Sequence, residues 1–275
     1  LRRSVFHIGS GDRQLFALLS EPDGGTARGV VVHVPAFAEE MNKSRRMVTL
    51  ATQAFVEDGW AVMHFDLSGC GDSSGLFDEA DWSAWLEDLD GVLGWCRARF
   101  GAEGQVVLWG LRCGALLIGD WIKAQGAAHP LLLWHPVLSG KLHLTQFLRL
   151  RVANDMLSDA DSRNVMAEMR ARLDNGKPVF VAGYSLSARL AGGMSRAAFG
   201  LPMGFARRLA VFEISASENG ELSPATISAV ERWRSLGVEV MDELVSGPAF
   251  WSTQYIETAP GLIDASRRSL VWMTV

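Results

Sequence analysis

Short apolar runs and longer helical patterns alternate along this chain, and the switch of hydrophobic period from one to the other marks its elements. "SVFHIG" and "RQLFALLSEP", separated by Ser10-Gly11-Asp12, predict an antiparallel hairpin at the start. "GVVVHV" (Gly29 to Val34) is a continuous β-branched run, the pattern of a strand covered on both faces. Then follow a helix in "RRMVTLATQAFVEDG" ending at Gly59, a strand in "WAVMHFDL", and an amphipathic helix in "DWSAWLEDLDGVLGWCRARFG". That helix has Asp81 near its start and arginines near its end, matching the macrodipole. Strand "QVVLWG", helix "ALLIGDWIKAQG" and strand "LLLWHP" complete this half. A hairpin followed by repeated βα units predicts an α/β fold, a mostly parallel sheet with helices on both faces.

From Lys141 to about Phe205 the rhythm breaks. "KLHLTQFLRLRVANDM" and "DSRNVMAEMRARL" read as helices and "KPVFVAGYSL" as an extended piece, together a cap insertion (about 141–205) over the upper edge of the sheet. The rhythm resumes with strand "RRLAVFEIS", helix "SPATISAVERWRSLG", strand "VEVMDELVSG" and a terminal helical segment. No repeat, low-complexity tract or long linker divides the chain, so residues 1–275 are expected to form a single domain.

Composition narrows the function classes. Hydrophobic residues make up 48% and charged residues 21%, too apolar for disorder. A net charge of −5 provides no basic field to recruit nucleic acid or an anionic membrane, so any anion site must be local. The three cysteines, Cys70, Cys96 and Cys113, are odd in number, widely spaced and without a CxxC pair. No disulfide framework, zinc site or other cofactor is therefore expected, and a reducing cytoplasm fits. No continuous apolar run of membrane-spanning length occurs, so no stable membrane anchor is expected. His-x-x-x-His spacing is absent, and Glu39-Glu40 is only a weak metal candidate, so no metal is assigned.

The chemistry-bearing stretch is "VVLWGLRCGALLI" (Val106 to Ile118), a strand, a glycine-flanked turn and the start of a helix. It imitates the Gly-x-Ser-x-Gly nucleophile elbow, with Arg112 where the serine would stand. With "DLSGCGDSSG" (Asp66 to Gly75) after the preceding strand, the order of signals over nearly the whole chain resembles the α/β-hydrolase fold. This resemblance implies an eight-stranded, mostly parallel sheet, with the glycine- and serine-rich loop in a structural role. At finer grain, "VPAFAEEMNKSRRM", "GLRCGALL", "HPVLSGK", "LTQFLRLR", "VAGYSLS" and "GPAFW" resemble the exosortase A system-associated hydrolase 2 proteins of that superfamily, which accompany bacterial export and exopolysaccharide loci. The implied activity is hydrolysis or acyl transfer.

The residues do not supply a serine-hydrolase triad. Guanidinium does not deprotonate in proteins and has no lone pair with which to attack. No histidine follows His143, and "VSGPAFWSTQ" stands where the base is expected. Glu221 is the nearest match for the acid, with Glu218 second. Three substitutes are available in the sequence: a Cys113 thiolate lowered by Arg112 with His135 as base, Ser185 in "VFVAGYSLSARL", and the weak metal candidate. A core cysteine and a turn or capping serine are the plainer readings of the first two.

Two function classes follow. One is a hydrolase or acyl-transfer enzyme with a rearranged site; the other is a non-catalytic protein that binds an anionic or acyl-bearing small molecule, or a protein partner or second copy, through the old cleft. Arg112 is read either as a receptor for an anion, with Phe37, Phe250 and Trp251 as aromatic walls, or as a tether paired with Glu39, Glu40 or Glu221.

Overall fold

The computed structural model describes residues 1–101, 105–154, 159–217 and 220–274. Its main sheet has eight strands: β1 (Arg2–Ser10), β2 (Arg13–Glu21), β3 (Gly29–Val34), β4 (Ala61–Phe65), β5 (Gln105–Leu111), β6 (Leu131–Trp134), β9 (Leu209–Ser215) and β10 (Val240–Ser246). The order across the sheet is β1-β2-β4-β3-β5-β6-β9-β10. Only the β1/β2 and β2/β4 pairings are antiparallel. This is the mostly parallel eight-stranded sheet of the expected α/β-hydrolase fold.

Helices cover both faces, as continuous apolar strands require. On one face α1 (Glu39–Glu57) and α8 (Pro260–Thr274) bury Met47, Phe55, Leu262 and Leu270 against Val31, Val62, Trp109, Trp134 and Phe212. On the other, α2 (Trp82–Phe100), α3 (Cys113–Gln125) and α7 (Pro224–Ser235) bury Trp85, Leu89, Leu116, Ile122 and Trp233 against Val30, Val32, Leu108 and Val211. Between β6 and β9 the segment read as a cap holds α4 (Gly140–Asn154), α5 (Asp159–Asp174), a two-stranded hairpin of β7 (Val179–Val181) and β8 (Tyr184–Leu186), and α6 (Ala188–Arg196).

One boundary differs in a way that matters for the site. Helix α1 begins at Glu39, six residues before the expected Arg45, so "EEMNKS" is helical rather than loop. Glu39 and Glu40 fill its first turn, where carboxylates complement exposed N–H groups. Consecutive residues on a helix point about 100° apart, and the two glutamates here bond different partners.

The loop "DLSGCGDSSG" is held by local carboxylates. Asp66 accepts a hydrogen bond from the Asp72 amide (3.0 Å), and Asp88 of α2 accepts from the Ser68 amide and hydroxyl (both 2.8 Å). A Cβ at Gly71, whose φ is 52°, would lie 2.0 Å from the Asp66 carboxylate, so a larger residue would have to displace that side chain from its bond to the loop.

Candidate functional site

Strand β5 ends at Leu111 and α3 starts at Cys113, leaving Arg112 alone at the tip of the elbow with φ 53° and ψ −115°. Gly114 allows the turn to sit this close to β3, because a Cβ there would stand 2.2 Å from the Val34 carbonyl oxygen. Ala38 (φ 52°) at the start of α1 and His135 (φ 42°) after β6 are also left-handed. Three non-glycine residues in a disfavoured region thus ring the ends of β3, β5 and β6, the kind of strain that collects where a fold holds a site.

The Arg112 guanidinium is engaged inside the protein. Its Nε (3.2 Å) and Nη2 (3.1 Å) both donate to Glu40 Oε1, and Nη1 donates to the His135 carbonyl (3.3 Å). Its plane lies over Trp251, 5.2 Å from the ring centroid, a cation–π contact. The side chains of Arg112 and Glu40 are only 14% and 22% exposed, so this is an inward-facing pair. A cation at a helix N-terminus is locally unfavourable, and the nearby Glu40 carboxylate offsets it. Burial still pushes the Glu40 carboxyl up from the usual range, with Arg112 opposing, and its Oε2 is buried with no partner among the described residues.

Two imidazoles lie in this neighbourhood. His135 Nδ1 accepts from the Ile214 amide (3.1 Å), which places its proton on Nε2. Its ring packs on Trp251 at 4.5 Å, and burial, with Arg112 adding to the effect, pushes it down to about 4. His143, on α4 of the inserted segment, packs against Phe37 and has both ring nitrogens buried and unpartnered among the described residues. Burial and then Arg112 push it down to about 3. Both rings are neutral at pH 7.

The other sequence-derived candidates separate. Glu39 turns away from Arg112 and accepts from the Tyr184 hydroxyl and the Asn42 amide (both 3.2 Å), linking α1 to the β7–β8 hairpin. Phe37 is 3% exposed and packed among Phe77, Trp85, His143 and Phe147, while Phe250 is fully buried against Trp134 and Trp251. They are core rather than walls of an open pocket; of the three aromatics only Trp251 touches the guanidinium. Cys113 is buried, and its thiol is pushed up by burial and by Glu40, with Arg112 opposing too weakly to make a thiolate. No hydrogen bond joins it to His135 among the described residues.

Ser185 lies in β8, within a hairpin turned at Ala182-Gly183, and not at an elbow. The capping serine is its neighbour Ser187, which accepts from the Leu190 amide at the start of α6. Glu221 is exposed, and Glu218 lies outside the described residues. The buried carboxylate nearest the expected acid position is Glu213 on β9, which sequence reading passed over because it sits within an apolar strand. It accepts from the Ser223 amide (2.6 Å) and from the Ser223 (2.8 Å) and Thr226 (2.6 Å) hydroxyls, so it organises the start of α7. His143 was equally hidden, because only folding of α4 over the sheet edge brings it to the elbow.

Beside the elbow a pocket of about 200 Å³ opens between α1 and the glycine-rich loop, lined by Ala38, Asn42, Arg45, Cys70, Phe77 and Tyr184 among others. Among the described residues no cluster of three or more His, Cys, Asp or Glu side chains has metal-binding geometry. Nor is any described helix long and apolar enough to cross a membrane.

No family model and no curated protein matches the sequence. Solved structures do match the fold over nearly full length. Est1E of Butyrivibrio proteoclasticus bound to ferulic acid is 13% identical, with a TM-score of 0.68 over 98% of this chain and 99% of that one. An α/β serine hydrolase without lid from Xanthomonas campestris is 16% identical (TM-score 0.57, 99% and 96% covered). A carboxyl esterase from Bacillus coagulans in complex with glycerol is 13% identical (TM-score 0.58, 90% and 91% covered). At such identities the likeness shows a shared fold, on which many chemistries are built.

Proposed function

We propose that this protein, built on the α/β-hydrolase fold, binds a small acyl-bearing or anionic molecule in the cleft beside the elbow and does not hydrolyse it. One observation carries the reading: the nucleophile position holds a guanidinium whose donors are taken by Glu40 and the His135 carbonyl. A triad loses most of its rate advantage when either nucleophile or base is removed, and here both roles are vacant. The tether reading of Arg112 is therefore preferred to the anion receptor. The pocket bounded by Phe77 and Tyr184 offers apolar walls, with Arg45 as a cation at its lining. The short stretches resembling exosortase A system-associated hydrolase 2 proteins support a setting in bacterial export or exopolysaccharide assembly.

The enzymatic alternative, hydrolysis or acyl transfer through a rearranged site, is favoured by the strained elbow itself, which is retained without a nucleophile to present. A panel of short- and long-chain acyl esters and thioesters separates the two readings, assayed with wild type, Arg112→Ala and Cys113→Ser. No turnover in any of the three is expected, together with saturable octanoate binding by ligand-observed NMR that Phe77→Ala weakens. Turnover abolished by Cys113→Ser overturns the binding reading.

A further inference from the structure

A second cavity, of about 430 Å³, lies between α1 and the face of the sheet formed by β2, β4 and β3. Strand register explains it. Leu18 of β2 pairs with His64 of β4, which pairs with His33 of β3, so the three side chains form one row across the sheet. Ser20 stands on the same face of β2 one row away. Phe16, Leu18, Val48 and Leu111 make the lining largely apolar; Arg3, Arg45, Thr49 and Asp72 are exposed at its rim, and Asp66 is half-buried.

Its polar groups are not used up by the protein. Ser20 is 1% and His33 6% exposed; Ser20 Oγ and His33 Nε2 are both buried without a hydrogen-bond partner among the described residues. The neighbouring polar groups are satisfied. Thr52 Oγ1 donates to the Val48 carbonyl (2.8 Å), which leaves His64 Nε2 as the donor in its 2.8 Å contact with that hydroxyl. Burial pushes both imidazoles down, so they are neutral hydrogen-bonding groups, and the charged side chains of the lining are Arg3, which pairs with Ser20 across β1 and β2, Arg45, Asp66 and Asp72. Ser20 pairs with Val62 and His33 with His64, so the two groups lie two strands apart with β4 between them. An unpartnered buried polar group costs about 1–3 kcal/mol, and a guest oxygen that reaches Ser20 would remove that penalty there.

We propose that this cavity is a binding site for a small uncharged molecule with an apolar body and one hydroxyl or carbonyl oxygen, the oxygen meeting Ser20. A volume of this size fits a two-ring compound, and the two cations of the lining, Arg3 and Arg45, are matched by two carboxylates, Asp66 and Asp72, so the cavity offers a guest no net charge. The cavity shares Pro35, Ala36, Met41, Arg45 and Gly71 with the pocket beside the elbow, whereas Leu18, Ser20, His33 and His64 line this cavity and not that pocket, so the two sites are told apart at those residues.

The test uses 2-naphthol as probe, followed by its own fluorescence and by amide shifts of the full chain, with 2-methylnaphthalene as the matched compound lacking the oxygen. Saturable 2-naphthol binding is expected, with shifts centred on β2, β4 and α1 and about tenfold weaker binding of 2-methylnaphthalene, the equivalent of one neutral hydrogen bond. Ser20→Ala should weaken 2-naphthol toward the 2-methylnaphthalene level. Leu18→Trp, which fills the cavity from an edge-side strand, should abolish binding of both while leaving octanoate binding in the cleft intact. Absence of saturable binding, equal affinity for the two compounds, or shifts confined to Ala38, Phe77 and Tyr184 would overturn the proposal.

Discussion

Arg112→Ala leaves the Glu40 carboxylate without its cation while the other carboxylate oxygen already lacks a partner. Breaking an inward-facing pair on one side only is expected to cost about 3 kcal/mol, and Glu40→Gln in the same chain should recover much of it. Urea unfolding of the two single variants, the double variant and wild type measures this; additive losses would show that the pair is not coupled. An anion receptor on the same scaffold would lose ligand affinity with little change in stability. His143 makes the opposite case. Its two unpartnered nitrogens contribute nothing that an apolar side chain of similar size would lack, so His143→Leu should be neutral or stabilising by about 1 kcal/mol in the same assay at pH 7.

At the level of elements, close approach and capping decide which substitutions are tolerated. Gly114→Ala drives a Cβ into the Val34 carbonyl and should cost about 3 kcal/mol or more, because neither β3 nor α3 can retreat. Gly94→Ala in α2 meets nothing within 4 Å and should stabilise by about 0.5–1 kcal/mol through helix propensity alone. Thermal unfolding distinguishes the two, and similar effects would show that the elbow glycine has no packing role. Ser187 holds the inserted segment to the body: its hydroxyl caps α6 and also donates to the Ala80 carbonyl. Ser187→Ala should cost about 1–2 kcal/mol.

For the molecule as a whole, buried neutral histidines set the response to acid. His33, His64, His129, His135 and His143 are all held below their ordinary range, His64 and His135 at about 4 and His143 at about 3. Between pH 6.5 and these values the unfolded chain binds more protons than the folded one. Stability from this source is therefore full above pH 6.5 and is lost as pH falls toward 4. Glu40 and Asp66 work in the other direction: their raised folded values mean that their effect on stability becomes less favourable as pH rises through the ordinary carboxylate range, two groups against five. Urea midpoints at pH 7.5, 6 and 5 should fall in that order, and His143→Leu should flatten the decline. A midpoint independent of pH across this range would contradict the assignment of these rings as buried and neutral.

The sequence by itself determined the layered α/β architecture, the order of its strands and helices, and the elbow. Those follow from hydrophobic period and from glycines at close-packed turns, which are local properties of the chain. It also determined that no base follows His143 and that the elbow tip is a cation. The choice of partner for Arg112 was decided only in three dimensions. Glu39 and Glu40 are equivalent in composition, and only the early start of α1 turns one toward the guanidinium and the other toward Tyr184. The burial of Phe37 and Phe250, the arrival of His143 from an inserted helix, and the row of Leu18, His64 and His33 across three strands likewise depend on contacts between distant segments. Local pattern carries which way a side chain faces within its own element, whereas register and packing between elements decide what it meets there.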